Sequence, residues 1–275
     1  MQSMSEATVI QNTPAATPAP TKPKARAERS ELDLAGMQAL GHNDFLDVLQ
    51  LSRRGGLALI RHNSELKVFK FIGCQADWKK RMARRVGWNP ARRAVRMSAE
   101  LANAGIPVCV VEDHGTVSLE SAPRAVWTIS RYVENGRTLR QLKQELQPER
   151  PSPQIDELRQ LFDDALVLLR RIHDAGFEHR DYHAGNLLVT TADDGSHNLQ
   201  LVDLETVMQR RATTLRRARD LRRFLENFVE PDSYLEVIEH ALQVYAPNDA
   251  KLRASILSTR RMQGLVRKRG SRWED

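Results

Sequence analysis

Residues 178–189 read EHRDYHAGNLLV, and residues 201–207 read LVDLETV. The first stretch sets His179, Arg180, Asp181, His183 and Asn186 ahead of the apolar run Leu187–Val189. A turn-like segment, TTADDGSHN, follows, and then LQLV running into Asp203. Apolar strand, polar turn and apolar strand read as an antiparallel hairpin. Its return strand delivers Asp203 beside Asn186, at the same end of the ladder. One carboxylate and one amide oxygen make a hard oxygen pair suited to Mg²⁺, which keeps several waters and takes phosphate oxygens for the rest. Asp181 is not needed for that pair. It can orient an attacking hydroxyl and accept its proton. These are the demands of phosphoryl transfer, where a protein mainly positions groups and neutralises charge.

Outward from the hairpin, the preceding segment predicts a helix over Gln154–Ala175. Ile155, Leu158, Leu161, Phe162, Ala165, Leu168, Leu169 and Ile172 keep the three- and four-residue spacing of one buried face. Gly176 is placed to end it. Further upstream, Leu57–Ile72 holds two apolar-rich runs around Asn63-Ser64 and predicts a second hairpin. A helix is expected over Ala91–Ala104, stopped by Gly105 and Pro107. Ile106–Val111 and Ala125–Val133 read as strands, followed by a polar helix at Leu139–Leu146 and a proline-marked break at Pro148–Pro153. From Arg211 onward the chain reads mostly helical. A strand-rich first half thus leads into a helix-rich second half, an α+β class.

The chain has 275 residues, 41% hydrophobic and 28% charged, enough for one large domain or two lobes. Its apolar runs, such as Ile106–Val111, fall far short of the roughly 20 residues that cross a bilayer. Residues 1–15 carry neither the basic start nor the apolar core of a signal peptide. Cys74 and Cys109 are too few for a disulfide framework or a four-ligand zinc site. A reducing, cytoplasmic setting is the expectation. Residues 1–30, rich in Pro, Ala, Thr and Ser, are expected to form a disordered leader, with order beginning near Leu32. The net charge of +7 favours an anionic partner. Basic residues concentrate in Lys79–Arg96, which has no acid, and in Arg210–Arg223, where Asp220 is the lone acid. Either cluster also fits a solvated helix face. With 5% aromatics and no binding module, nucleic acid is not an expected partner.

His179-Arg180-Asp181, with Asn186 five residues after the Asp, resembles the catalytic loop of kinases, and Asp203 resembles the metal-binding Asp after it. Here that position reads Asp203-Leu204-Glu205, and with His183 the pair looks more like small-molecule and glycan kinases than protein kinases. RRIHDAGFEHRDYHAGNLLV, AELANAGIPV and RRARDLRRFLENF are similar to the lipopolysaccharide core kinases, the Kdo and heptose kinase family, over residues 45–230. The resemblance implies a two-lobed protein-kinase-like fold. A small β-rich N-terminal lobe would span 31–133 and a larger, mainly helical catalytic lobe 134–275.

It also implies an ATP- and Mg²⁺-dependent phosphotransferase. Asp181 would be the base, in a loop with His179 and Arg180. Asn186 and Asp203 would hold the metal. Lys70, in Val68-Phe69-Lys70, best fits the phosphate-binding lysine; Lys67 is the alternative, and three residues apart on a strand the two face opposite sides. His179 would tie the loop to the Asp203 region by hydrogen bonds, while His183 either touches substrate or caps the turn. Thr128–Val133 would be the hinge that meets adenine. Two departures stand out. No GxGxxG loop precedes the lysine strand, only Gly55-Gly56. The helix position expected to hold a glutamate against the lysine is Ala94, and Glu100 is the nearest acid. Either Glu100 substitutes, or the lysine is held differently, or nucleotide chemistry is impaired.

The acceptor implied is a sugar hydroxyl of the lipopolysaccharide inner core. That gives an anionic glycolipid or core oligosaccharide as partner and a peripheral contact with the inner membrane. A protein kinase or a phosphotransferase on another small alcohol keeps the fold but changes the acceptor. No Ala-Pro-Glu follows Asp203, and a cationic antibiotic would want acidic surroundings. A pseudokinase that binds without turnover is the third reading.

Overall fold

The computed structural model describes residues 35–36, 45–52, 55–73, 89–118, 125–145, 152–192, 194–228 and 234–270. The expected leader, Cys74 and the basic residues Lys79–Arg85 lie outside these. The first half is a five-stranded antiparallel sheet in the order β1-β2-β3-β5-β4, with β1 at Phe45–Ser52, β2 at Gly55–His62 and β3 at Glu65–Ile72. β4 spans Val111–Val117 and β5 Ala125–Arg131. The β2–β3 turn falls on Asn63 and Ser64, with φ of 52° and 65°. Two positive φ values match the strand twist, as in the turns that favour tight hairpins. Gly55 opens β2 opposite Ile72, and a Cβ there would sit 1.8 Å from the Phe71 carbonyl oxygen. Its glycine is required by the close approach of two strands.

On β3 the period of two sorts the side chains. Lys67, Phe69 and Phe71 point to the buried face, where the two aromatics join Ile60, Trp127 and Ile129 in a small core. Lys70 points to the other. Helix α1, Pro90–Asn103, starts on Asn89, whose side chain accepts from the amides of Ala91 and Arg92, with Pro90 at the first position. It ends ahead of Gly105, whose φ of 71° suits glycine. Met97 and Leu101 of α1, with Ile106, bury into the large core of the second half.

One predicted strand is displaced. Ile106–Val111 reads as a strand by composition, but β4 begins only at Val111. Its middle is spent elsewhere: Val108 makes a parallel bridge to Leu201, with the Cys109 amide donating to the Leu201 carbonyl at 2.8 Å and the Leu201 amide to Pro107 at 3.0 Å. Pro107 lacks an N–H, so this segment accepts there and cannot continue a two-sided ladder.

After β6 (Arg137–Thr138), α2 covers Leu139–Glu145 and α3 covers Ser152–Asp174. The long helix therefore begins inside the proline-marked segment. Leu161, Phe162, Ala165, Leu168, Leu169 and Ile172 are buried as the spacing requires, and Leu166 joins them. Ile155 does not; it is 47% exposed, one turn from the helix start. β8 (Leu187–Thr191) pairs with β9 (His197–Leu201) and with β6, while β7 (Phe177–Glu178) pairs with β10 (Met208–Gln209). Helices α4 (Thr214–Leu225), α5 (Tyr234–Tyr245), α6 (Ala250–Leu257) and α7 (Arg260–Gly270) complete the helical half. The fold is α+β, as the pattern of strands then helices predicts.

Candidate active site

The hairpin sets the geometry. Leu187 pairs with Leu201, and the Val202 amide donates to the Asn186 carbonyl at 3.0 Å. Asn186 and Asp203 are thereby brought to the same end of the ladder. The Asn186 Nδ2 donates to the Asp181 carbonyl at 3.0 Å, which spends the amide nitrogen and leaves the oxygen for another partner. Asp203 sits at φ 61° and Arg180 at φ 70°, both left-handed for non-glycine residues. Such positions persist only where the surroundings over-determine them.

Around Arg180 that support is Asp220 of α4. Its fully buried carboxylate accepts from the amides of His179 (2.9 Å) and Arg180 (3.1 Å) and from Arg219, and lies 3.3 Å from His173 Nε2. Burial pushes the Asp220 carboxyl up, but His173 and Arg219 more than offset it, and it settles at about 2. Asp220 was not among the residues singled out as functional from the sequence. Its signal was there, as the single acid in the arginine run.

Asp181 keeps a partly open carboxylate. Arg223 Nε donates to it at 3.0 Å and His183 Nε2 stands 3.7 Å away. His183 caps the short 3₁₀ turn Ala184–Asn186, accepting from the Gly185 amide at 3.0 Å, with an Arg140 guanidinium nitrogen 3.4 Å from its Nδ1. Of the two roles open to it, the cap is the one the geometry displays. His179 departs from expectation. Its ring is fully buried and neither nitrogen has a hydrogen-bond partner. The link to the Asp203 region runs instead through its main chain, whose carbonyl accepts from the Thr206 hydroxyl at 2.9 Å. Burial pushes the imidazole pKa down, against the pull of Asp220, and the ring packs edge-on to Tyr182 at 5.4 Å. Arg180 turns outward, with Nη1 3.4 Å from the Met208 sulfur.

Lys70 reaches across from the first sheet. Its Nζ is 2.8 Å from Asp203 Oδ1 and 2.5 Å from Glu205 Oε1. Burial pulls this ammonium down, yet the carboxylates of Glu205 and Asp203 outweigh it and leave it above its ordinary value. Burial likewise raises Asp203, but Lys70 prevails and holds it well below the carboxylate range. Glu205, pushed up by burial and by Asp203 against the pull of Lys70, lies at about 7. Lys67 takes no part. It lies on the opposite face of β3, paired with Glu65 and with Glu112 at 2.7 Å.

Glu100 does not substitute for the missing helix glutamate. Its ion pair is with Arg96, one turn earlier, at 3.4 Å, and its Oε2 is buried without a hydrogen bond. Ala94 is buried on the same helix. Of the three alternatives, the geometry displays a lysine held differently. The Gly55-Gly56 pair belongs to β2, and the residues before it, 53–54, lie outside the described ones. In the hinge segment, Thr128 is buried and pairs with Lys70 across the sheet. Among the described residues no group of three or more His, Cys, Asp or Glu side chains is arranged around a metal. One carboxylate and one amide oxygen suit Mg²⁺ supplied with phosphate and water oxygens.

The sequence model of the lipopolysaccharide kinase (Kdo/WaaP) family matches residues 60–245. Among solved structures, WaaP in complex with acyl carrier protein shares the fold at a TM-score of 0.58 and 17% identity, covering 92% of this chain and 97% of that one. The kinase domain of Mycobacterium tuberculosis PknI matches at a TM-score of 0.47 and 17% identity, over 80% of this chain and 95% of that one. No curated protein matches at a significant level. The fold is two-lobed and kinase-like, a small antiparallel sheet above a larger helical part. The chain belongs to the lipopolysaccharide kinase (Kdo/WaaP) family and is a phosphotransferase.

Proposed function

We propose that the chain transfers the γ-phosphoryl group of ATP, with Mg²⁺, to a sugar hydroxyl of the lipopolysaccharide inner core. The observation that carries the reading is the contact of Lys70 with Asp203, which joins the first sheet to the hairpin at one point. Lys70 meets the nucleotide phosphates. Asp203 and the Asn186 amide oxygen would hold Mg²⁺, which would supply neutralisation of charge on the phosphates. Asp181 orients the acceptor hydroxyl and takes its proton as the acceptor oxygen forms its bond to phosphorus and ADP leaves. Arg223 fixes the Asp181 carboxylate for that task. His179 and Arg180 position the loop through their main chains.

Arg223 and His183 stand against Asp181, and Arg140 stands against His183. They favour an anionic acceptor such as a glycolipid core. No helix of the described residues is long and apolar enough to cross a membrane. Access to a lipid-linked acceptor would then be peripheral, with each basic residue near an anionic surface adding roughly 1 kcal/mol. The pseudokinase reading drew on the missing helix glutamate and the absent glycine loop; against the first, Glu205 pairs with Lys70.

The test is thermal unfolding with Mg²⁺ and ATP together and apart. Ligand at 100 times its Kd stabilises by about 2.7 kcal/mol, so a Mg²⁺-dependent rise in midpoint is expected, lost in Asp203→Ala. Asp181→Ala should keep the rise and lose transfer to core oligosaccharide. Wild-type transfer by Asp181→Ala removes it as the base.

A further inference from the structure

In the kinase arrangement that the loop resembles, the phosphate-binding lysine is held by a glutamate from the helix after its strand. Here that helix is α1, PARRAVRMSAELAN, and its one acid is Glu100, paired with Arg96. The side chain α1 does send toward the Asp203 segment is a cation: Arg93 Nε donates to the Val207 carbonyl at 3.1 Å. Lys70 nevertheless has two carboxylates. Both come from one short segment, Asp203 and, two residues on, Glu205 in the 3₁₀ turn Leu204–Thr206.

That turn is well placed to position a lysine. α1 packs directly on it. The Val207 amide closes it on the Leu204 carbonyl at 3.2 Å, and Thr206 ties it to the catalytic loop at the His179 carbonyl. The Glu205 side chain is only 16% exposed, and its Oε1 is the nearer of the two acids to Lys70. Two acids for one lysine is more than a clamp requires, unless one of them has a second task. Asp203 has one, since its carboxylate serves the metal in the reading above. Lys70 is then left with a single acid.

We propose that Glu205 is the positioning residue that holds Lys70 toward the nucleotide phosphates, in the role a helix glutamate fills in other kinases. The inference rests on the nucleotide reading and names the residue that makes the clamp. It also explains why the third residue of Asp203-Leu204-Glu205 is an acid, because a glycine there would leave Lys70 without a partner once Asp203 is engaged.

The experiment is calorimetric titration of the full chain with Mg²⁺ and a non-hydrolysable ATP analogue. Wild type is compared with Glu205→Gln, Glu205→Asp, Lys70→Met and the double variant Lys70→Met/Glu205→Gln. Glu205→Gln keeps the shape but loses the charge, and should weaken binding about tenfold. Glu205→Asp keeps the charge and should recover most of that loss, a rescue that a purely structural role does not predict. The double variant should bind no more weakly than Lys70→Met alone, because Glu205 acts through the lysine. Wild-type affinity in Glu205→Gln, or losses that add in the double variant, would overturn the proposal. Should Glu205→Gln fail to fold, Glu205→Ala alone and combined with Lys70→Met reads the same coupling. A wild type that does not bind the analogue at millimolar concentration overturns the nucleotide reading itself, and is told apart because it needs no variant.

Discussion

The loop carrying Asp181 and the lysine facing it are secured by different means. Asp220 gathers two main-chain amides, an arginine and a histidine at one buried carboxylate, so the loop is held rigidly from beneath by α4. Lys70 receives nothing from α1. Among the described residues, the acids paired with it lie across the cleft, on the segment that follows the hairpin. The catalytic half is thus built as a scaffold in its own right, whereas the sheet contributes one cation that the other half catches. In the proposed reading, the geometry of transfer is concentrated on one side, and the nucleotide clamp depends on the two sides meeting.

The sharpest way to break this contrast is Asp220→Ala. It leaves two main-chain amides without their acceptor and takes one partner each from His173 and Arg219, and removing one partner of a buried charged network costs about 3–5 kcal/mol. Urea unfolding should show the midpoint collapse, and activity should go with it. Unchanged stability would mean the loop is anchored elsewhere. Arg223→Ala comes next. It frees the Asp181 carboxylate without touching the amide anchor, and misplacement of a reacting group can cost about 10²-fold in rate. The expected signature is a fall in kcat at unchanged unfolding midpoint and unchanged nucleotide binding.

Acid should weaken the anchored half. Burial holds His173, His179 and His183 below their ordinary value of 6.5. The unfolded chain therefore binds more protons than the folded one as pH drops below that value, and stability falls. Asp220, lowered to about 2, adds to the loss below its unfolded pKa near 4. Thermal midpoints between pH 8 and 5 should decline, and His173→Gln should flatten the curve. The smallest effect is reserved for Lys67→Met. On the far face of β3, it should leave nucleotide binding as it is, while Lys70→Met should reduce it. Equal losses for both would erase the distinction between the two faces.

Much of this was legible in the order of residues. The hairpin and the meeting of Asn186 with Asp203 follow from local pairing, since a strand, a polar turn and a strand have one register once their apolar residues align. The opposite facing of Lys67 and Lys70 follows from the two-residue period, although only the sheet's surroundings tell which face is the cleft. What stayed hidden was long-range. Asp220 anchors amides about forty residues earlier, and no spacing rule links them. Glu205 lay inside the quoted stretch, yet its partner is Lys70, far back along the chain. IPVCVV misled because β-branched composition states a preference for extended backbone and not a partner; Pro107 and Cys109 spent theirs on Leu201. Ile155 obeyed the helical period at a helix end, where periodicity does not guarantee cover.

The bridge between Val108 and Leu201 has a bearing on control. Kinases that switch do so by letting the helix beside the lysine strand swing, carrying its glutamate in and out. Here the chain just after α1 is bonded to the strand that leads into Asp203, through Cys109 and Pro107. The acids on Lys70 belong to that same strand's continuation. Helix α1 is thus tethered to the segment that presents Asp203 and Glu205 to Lys70, so that helix and acids are held together.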